Sequence, residues 1–92
     1  MHVDIVPVGE LPAQVKREAS SSLRAVYDSN VTMHDTQSIP SGAYDRGRDQ
    51  YSAEAFIKLA TRVGTGGKNI AITAKDLFYH RRNYVFGLAY LD

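Results

Sequence analysis

Short runs of β-branched residues recur along the chain, and the first of them predicts a strand. Residues 2–8 contain four valine or isoleucine positions and are followed by Gly9, a residue that favours turns. Pro7 removes one backbone donor from the ladder, so the second half of this segment is expected at a strand end or beside a bulge. This pattern places the first strand at residues 2–8.

Two later segments have apolar residues at the spacing of an amphipathic helix. Pro12 suits the first helical position, where its missing N–H is tolerated, and this helix is expected to end near residues 28–30. The second helix is expected to begin after Ser52 as its N-cap and to end at the glycines of residues 64–67. The predicted buried stripes are Val15, Ala19, Leu23 and Val26 in the first helix, and Phe56, Ile57, Ala60 and Val63 in the second.

Three more strands are predicted between and after these helices. Residues 30–36 alternate polar and apolar side chains, which indicates a half-exposed strand. Residues 69–74 form a short, nearly continuous apolar run that is typical of a central parallel strand. Residues 84–91 form the last strand, which is entered through a polar turn at 80–83, and residues 38–50 are expected to be a long loop.

The order of these elements is β-α-β-α-β-β, which predicts an α/β fold built on one mostly parallel, twisted sheet with right-handed crossovers. About nine residues without a helix separate the last two strands. Because that connection is too short for a usual parallel crossover, the last strand is expected to be antiparallel. The length allows one domain, so residues 1–92 are predicted to form a single α/β domain.

Composition narrows the range of functions. The chain has no cysteine, which excludes disulfides and thiolate zinc sites within these residues and suits the reducing cytoplasm. Its apolar runs are too short to span a bilayer, so no membrane partner is expected. The net charge of +1 divides into −3 for residues 1–45 and +4 for residues 46–92. This excess is small for a nucleic-acid-binding surface, and a solvated face is the simpler interpretation.

Candidate metal and phosphate motifs are incomplete. None of the histidines belongs to an HExxH motif, so a surface or turn position is expected for each rather than a zinc site. The glycines and lysine of residues 64–68 lack the spacing of a P-loop, and they connect a helix to a strand rather than a strand to a helix. The histidines are His2, His34 and His80.

Other arrangements are also weighed. No serine lies in a G-x-S-x-G motif, and Asp45 and Asp49 are expected to pair with the arginines between them. Interleaved arginines and tyrosines occur in some proteins that bind single-stranded nucleic acid. The favoured interpretation includes no nucleic-acid partner. The alternative would use Arg46, Arg48, Arg81, Arg82, Tyr44 and Tyr51.

Three stretches, taken in order, carry a resemblance to a known family. They are residues 45–51 (DRGRDQY), 70–78 (IAITAKDLF) and 83–89 (NYVFGLA), and the first strand adds the sequence VPVG at 6–9. Their order and spacing resemble the N-terminal half of the archaemetzincins, which are metzincin-type zinc metallopeptidases of archaea and some other lineages. The resemblance extends over residues 2–91, essentially the whole chain.

The resemblance implies a scaffold role within a zinc-dependent, peptide-cleaving family. Metzincins hold catalytic zinc with the signature HExxHxxGxxH, in which the glutamate is the general base. Archaemetzincins are also expected to bind a second zinc through cysteines. Neither feature occurs in these 92 residues, so no catalytic or metal-binding residue is assigned and no cofactor is expected in this chain. By itself the chain is expected to be inactive, as a truncated or partial form of the family lacking the catalytic helix region.

The resemblance also implies a substrate-binding edge in the last strand. The metzincin edge strand lines the cleft and pairs with an extended peptide through main-chain hydrogen bonds. In the family that strand pairs with a strand that follows it in sequence, so here it is expected to lack its neighbour and to be able to join a second copy. The alternative is a non-catalytic α/β module that binds a partner by strand addition. The expected peptide-binding residues are Val85, Phe86, Gly87, Leu88 and Ala89.

Overall fold

The computed structural model describes residues 2–27, 30–65, 67–79, 82–83 and 88–91. Two α-helices lie among these residues, α1 at Ala13–Tyr27 and α2 at Ala53–Val63. The described strands are β1 (His2–Pro7), β2 (Asn30–Met33), β3 (Tyr44–Asp45), β4 (Gln50–Ser52), β5 (Lys68–Ile72), β6 (Leu77–Tyr79), β7 (Arg82–Asn83) and β8 (Leu88–Leu91).

The main sheet has the strand order β2-β1-β5-β8. β1 pairs in parallel with β2 on one side and with β5 on the other, whereas β8 runs antiparallel to β5. The predicted α/β fold, with its mostly parallel sheet and antiparallel last strand, is therefore confirmed. The long helical connections allow the parallel pairings, and the shorter connection before β8 brings the chain back in the opposite direction.

A second small sheet, with the order β3-β4-β6-β7, was not expected from the sequence. β3 lies inside the segment 38–50 that was predicted to be a loop, and β7 lies inside the predicted polar turn at 80–83. These strands have only two or three residues each. A strand of that length is too short to show a period of two, so its pairing depends on distant partners rather than on local pattern.

Two hydrophobic clusters fill the space on either side of the main sheet. Val6 and Val8 belong to the cluster that contains Phe56 of α2, while Val3 and Ile5 belong to the cluster that contains Leu23 of α1. This division follows from the alternation of side chains along β1. It also predicts that Asp4, two positions before Val6, faces the side of the sheet that α2 covers.

The predicted buried stripe of α1 is only partly correct. Leu23 is buried, but Val15 and Val26 are 42% and 73% exposed. The helix contacts β1 and β2, and β2 has four residues against fifteen in the helix. The helix is therefore roughly 22 Å long and β2 roughly 13 Å. β2 can cover only part of the helix, and Val15 and Val26, near its two ends, remain exposed.

The stripe of α2 agrees better with expectation. Phe56 and Ala60 are fully buried, and Ile57 and Val63 pack against the same cluster. Ser52 holds the N-cap position, although its side chain makes no capping hydrogen bond. Within the described part of the chain, neither helix has the length and apolar character needed to cross a membrane.

Candidate functional site

The expected peptide-binding residues are described only in part. Val85, Phe86 and Gly87 lie outside the described residues, whereas Leu88 and Ala89 begin β8. Ile72 pairs with Leu88 and Ala71 pairs with Ala89. Leu88–Leu91 do have a neighbour, because β5, which precedes them in the chain, pairs with all four residues. That β8 lacks a partner strand that follows it in sequence stays a prediction.

One edge of β8 is free of strand pairing within the described part of the chain, since β8 stands last in the order β2-β1-β5-β8. In an antiparallel strand, successive residues direct their N–H and C=O groups to alternate sides. About half of the backbone groups of β8 therefore point away from β5. Such a row of groups is the structural requirement for pairing with an extended peptide.

The strand that supports this edge is firmly held. β5 lies between β1 and β8, and its residues 69–72 are buried. Ile70 and Ala71 belong to the clusters on opposite faces of the sheet. A peptide that added to β8 would therefore extend a sheet whose inner strands are fixed by packing on both faces.

A polar site separate from the β8 edge lies on the sheet face that α2 covers. Its centre is Asp4, which is fully buried. His34 Nε2 lies 2.7 Å from Asp4 Oδ1, and His2 Nε2 lies 3.5 Å from the same oxygen. The hydroxyl of Thr65 donates to Asp4 Oδ2 at 3.0 Å, and the Thr65 backbone N–H donates to it at 3.3 Å. Thr32 Oγ1 and His2 Nε2 are 2.7 Å apart. We call this set the Asp4 cluster: His2, Asp4, Thr32, His34 and Thr65.

The fold brings the Asp4 cluster together from three distant segments. Asp4 is opposite Thr32 in the register of β1 and β2, and His34 follows β2. Thr65 comes shortly after α2 ends. Sequence reasoning missed this site, although a carboxylate between Val3 and Ile5 in a predicted buried strand is a usable signal.

The expected surface or turn positions of the histidines are only partly correct. His2 is 40% exposed, but His34 is 17% exposed and hydrogen-bonded to the buried carboxylate. His80 lies outside the described residues. Because a carboxylate can only accept, Asp4 orients His34 with its Nε2 proton toward Oδ1.

Opposing influences act on the pKa of Asp4. Burial alone would raise this pKa, because it penalises the charged form. Hydrogen bonds from His34 and from the backbone and side chain of Thr65, together with the nearby His2, outweigh burial and hold the pKa below its ordinary value of 3.8. The carboxylate is therefore stabilised in its ionised form by its neighbours.

The described residues do not fit a catalytic zinc ion. Both histidines direct Nε2 to Asp4, and His2 Nε2 also contacts Thr32. Across the described ranges, no group of three or more histidine, cysteine, aspartate or glutamate side chains has an arrangement that would hold a metal. The Asp4 cluster is thus a hydrogen-bonded network, and we derive no zinc-dependent step from these residues.

Acid is expected to destabilise the wild-type chain more than the Asp4→Asn variant. Since the folded-state pKa of Asp4 is depressed, its contribution to stability is present well above pH 3.8 and is lost as the pH falls through the folded pKa. Urea unfolding between about pH 6 and about pH 2.5 measures this difference in slope. Asp76→Asn, at an exposed position, is the matched control and should follow the wild type. Parallel curves for all three chains would contradict the prediction.

Aromatic rings and cations of the second sheet are largely engaged with one another. The rings of Tyr44 and Tyr51 are 5.1 Å apart, and Lys75 Nζ lies 5.6 Å from the Tyr51 ring centre. Arg48 lies 4.6 Å from the ring centre of Phe78. Tyr44 nevertheless remains 45% exposed, and the nucleic-acid alternative stays a prediction.

The carboxylates of this region also have local partners. Tyr44 donates its hydroxyl to Asp49 Oδ1 at 2.5 Å, and this hydrogen bond, with burial and the charge of Asp49, raises the pKa of Tyr44. Asp45 Oδ1 accepts from the backbone N–H of Arg48 at 3.1 Å. These contacts stabilise the turn between β3 and β4 and give it no evident catalytic geometry.

No family model matches this chain. Curated relatives match it along essentially its whole length. The chain is 78% identical over 91 residues to an archaemetzincin of Haloarcula marismortui and 76% identical over 92 residues to one of Natronomonas pharaonis. These matches cover 99% and 100% of this chain and 53% of each relative. The chain therefore spans about half the length of the curated relatives it matches.

A solved structure shares the fold. The crystal structure of an archaemetzincin from Archaeoglobus fulgidus, complexed with malonate, superposes with a TM-score of 0.72 over 91% of this chain and 51% of that chain. The identity is 17%, so this likeness supports the fold alone. The high identity to the curated relatives confirms the resemblance found in the three sequence stretches. The chain thus belongs to the archaemetzincin family, in which it matches the N-terminal half of the full-length members.

Proposed function

We propose that this chain forms the scaffold and the substrate-side edge strand of an archaemetzincin-like, zinc-dependent metallopeptidase. The whole enzyme would hydrolyse peptide bonds, and residues 1–92 would act as one α/β domain within it. The observation that carries the proposal is the position of β8, which is antiparallel to β5 and last in the main sheet of the described residues. The identity to full-length archaemetzincins supports the same assignment.

The proposed binding mode is strand addition along residues 85–89 and the rest of β8. An extended peptide would receive and donate main-chain hydrogen bonds at the edge that β5 leaves free. The four residues of β8 include no proline and no charged side chain, so nothing in their sequence blocks an incoming strand. Peptide side chains on alternate sides would then determine specificity.

The chain alone is proposed to bind no catalytic zinc and to cleave no peptide. Its sequence lacks the HExxHxxGxxH signature, and the geometry of the Asp4 cluster does not substitute for it. Calorimetric titration with zinc and a peptide-cleavage assay on the 92-residue chain should both be negative. Stoichiometric, tight zinc binding or measurable turnover would contradict this part of the proposal.

Peptide binding at the edge can be separated from folding by two proline substitutions. Adjacent residues in a strand direct their backbone N–H groups to opposite sides, and proline has no N–H. Of the variants Ala89→Pro and Tyr90→Pro, one therefore removes an N–H that points away from β5, and the other removes an N–H that points toward β5. We expect one variant to keep wild-type stability and to lose binding of a fluorescent extended peptide, and the other to be less stable. A backbone N-methylated peptide is the control ligand. Unchanged peptide affinity in both variants would contradict the proposed edge.

The same free edge also suits a non-catalytic module that pairs with a partner or with a second copy. Light scattering during size-exclusion chromatography distinguishes these forms. A defined dimer that is lost in the outward-facing proline variant would favour strand pairing between copies. A monomer that binds the extended peptide would favour the substrate-side role.

A further inference from the structure

The Asp4 cluster has a feature that the proposed peptide edge does not use. The carboxylate on the central strand β1 holds a segment that follows α2, and the hydrogen bonds that the structure gives Thr65 within its described residues all end on Asp4. Thr65 is exposed and belongs to neither hydrophobic cluster. Gly64 in the same segment donates its backbone N–H to the Ala60 carbonyl of α2 at 2.8 Å. The described hydrogen bonds that attach the segment to the sheet itself are therefore those from Thr65 to one buried carboxylate.

A neighbouring polar atom disfavours the attached state. Asn69 is opposite Asp4 in the register of β1 and β5, and it is 8% exposed. Its Oδ1 has no hydrogen-bond partner among the described residues, and it lies so close to Gly64 that a Cβ atom there would overlap it. Burying an acceptor without a hydrogen-bond partner costs free energy. If the segment moved away, water would hydrogen-bond to Asn69 Oδ1 and remove this cost. The hydrogen bonds to Asp4 must offset this cost.

We propose that the Asp4 carboxylate is an acid-released clasp, which holds residues 64–65 on the sheet and lets them detach when the carboxyl becomes neutral. A charged carboxylate accepts stronger hydrogen bonds than a neutral carboxyl, so neutralisation weakens the contacts to His34 and Thr65 together. The hydrophobic clusters on both faces of the sheet do not include these residues, so β1 and β5 stay packed when the segment opens. The opening is local, at residues 64–65.

The groups that face Asp4 support this assignment. From β1 the neighbour is His2, and from the segment after β2 it is His34. The segment after α2 contributes the uncharged Thr65, and β5 contributes the uncharged Asn69. The two histidines are the titratable groups that contact Asp4 within the described residues. They, with Thr65, hold the pKa of Asp4 below 3.8, so release requires strongly acidic solution in the wild type.

Amide hydrogen exchange of Thr65 tests the clasp directly. The variant Asp4→Asn imitates the neutral carboxyl at about pH 6, and Val8, whose N–H donates to the Ile72 carbonyl at 2.8 Å, reports the stability of the sheet. We expect the protection of the Thr65 amide to fall about tenfold or more in Asp4→Asn, with a smaller change at Val8. Asp76→Asn is the control and should leave both amides unchanged. Equal losses at Thr65 and Val8, or no loss at Thr65, would overturn the proposal.

Two further measurements keep the proposal testable if Asp4→Asn does not fold. In the wild type, Thr65 protection, corrected for intrinsic exchange, should fall between about pH 6 and about pH 2.5 before Val8 protection does. The variant Thr65→Ala keeps the carboxylate and removes the hydroxyl donor, so the amide at position 65 should lose several-fold protection. Loss of Thr65 and Val8 protection at the same pH would contradict the clasp.

Discussion

Replacing Phe56 with alanine is expected to lower the free energy of unfolding by about 3–5 kcal/mol, the usual cost of removing a buried aromatic side chain. Phe56 is fully buried on α2 and belongs to the cluster that packs on Val6 and Val8 of β1. Its ring also meets Tyr51 edge-on, with centres 6.2 Å apart. Small domains have about 5–15 kcal/mol of stability, so this single change removes a large share of it.

The measurement is urea unfolding followed by circular dichroism, with Lys58→Ala as the matched control. Lys58 is exposed on the same helix, and its replacement is expected to change stability by no more than about 0.5 kcal/mol. If Phe56→Ala and Lys58→Ala unfold at the same urea concentration, α2 does not pack on the sheet as the structure describes.

Gly67→Ala is expected to be the second most damaging substitution, because position 67 imposes two separate penalties. Its φ is +51°, a left-handed conformation that costs a residue with a Cβ atom about 1–2 kcal/mol. A Cβ atom at this position would also overlap the backbone carbonyl oxygen of His2, and relieving such overpacking costs about 1–3 kcal/mol. The residue lies directly before β5, where it approaches the backbone of β1.

Gly42→Ala separates the two penalties. Gly42 also has a positive φ, +76°, but a Cβ atom there meets nothing within 4 Å. Thermal unfolding should therefore show a moderate loss for Gly42→Ala and a clearly larger loss for Gly67→Ala. Equal losses would mean that β1 and β5 do not approach as closely at this point as described. Since β5 supports β8, we also expect Gly67→Ala to weaken peptide binding at the proposed edge.

The described residues of this chain present two features that can be tested separately. One is the free edge of β8, which we propose as the side of the cleft that binds substrate. The other is the Asp4 cluster, which links β1, the segment after β2 and the segment after α2. The edge depends on backbone groups and so tolerates many side chains, whereas the cluster depends on one carboxylate. Substitutions at the edge should therefore change peptide affinity, whereas substitutions in the Asp4 cluster should change the pH dependence of stability and the amide exchange of Thr65.

Most of the fold could be predicted because its larger elements have strong local patterns. The β-branched residues predicted β1 and the apolar run predicted β5, and both are buried strands in the structure. The helical spacing around Phe56 and Ala60 predicted α2. The predicted burial of Val15 and Val26 was wrong. Helical spacing shows which residues share a face, but it does not show how much of that face the neighbouring strands cover. The second sheet was missed because strands of two or three residues have no measurable period.

The local pattern of hydrophobic and polar residues determined the order of the large elements, the antiparallel return of the last strand and, through three recognisable stretches, the family. Only the tertiary structure decided that Asp4, His34 and Thr65 meet. His34 lies 30 positions after Asp4 and Thr65 lies 61 positions after it, and no local pattern links the three residues. Strand register and crossover connections bring such residues together. A buried carboxylate is stable only because the folded chain surrounds it with donors.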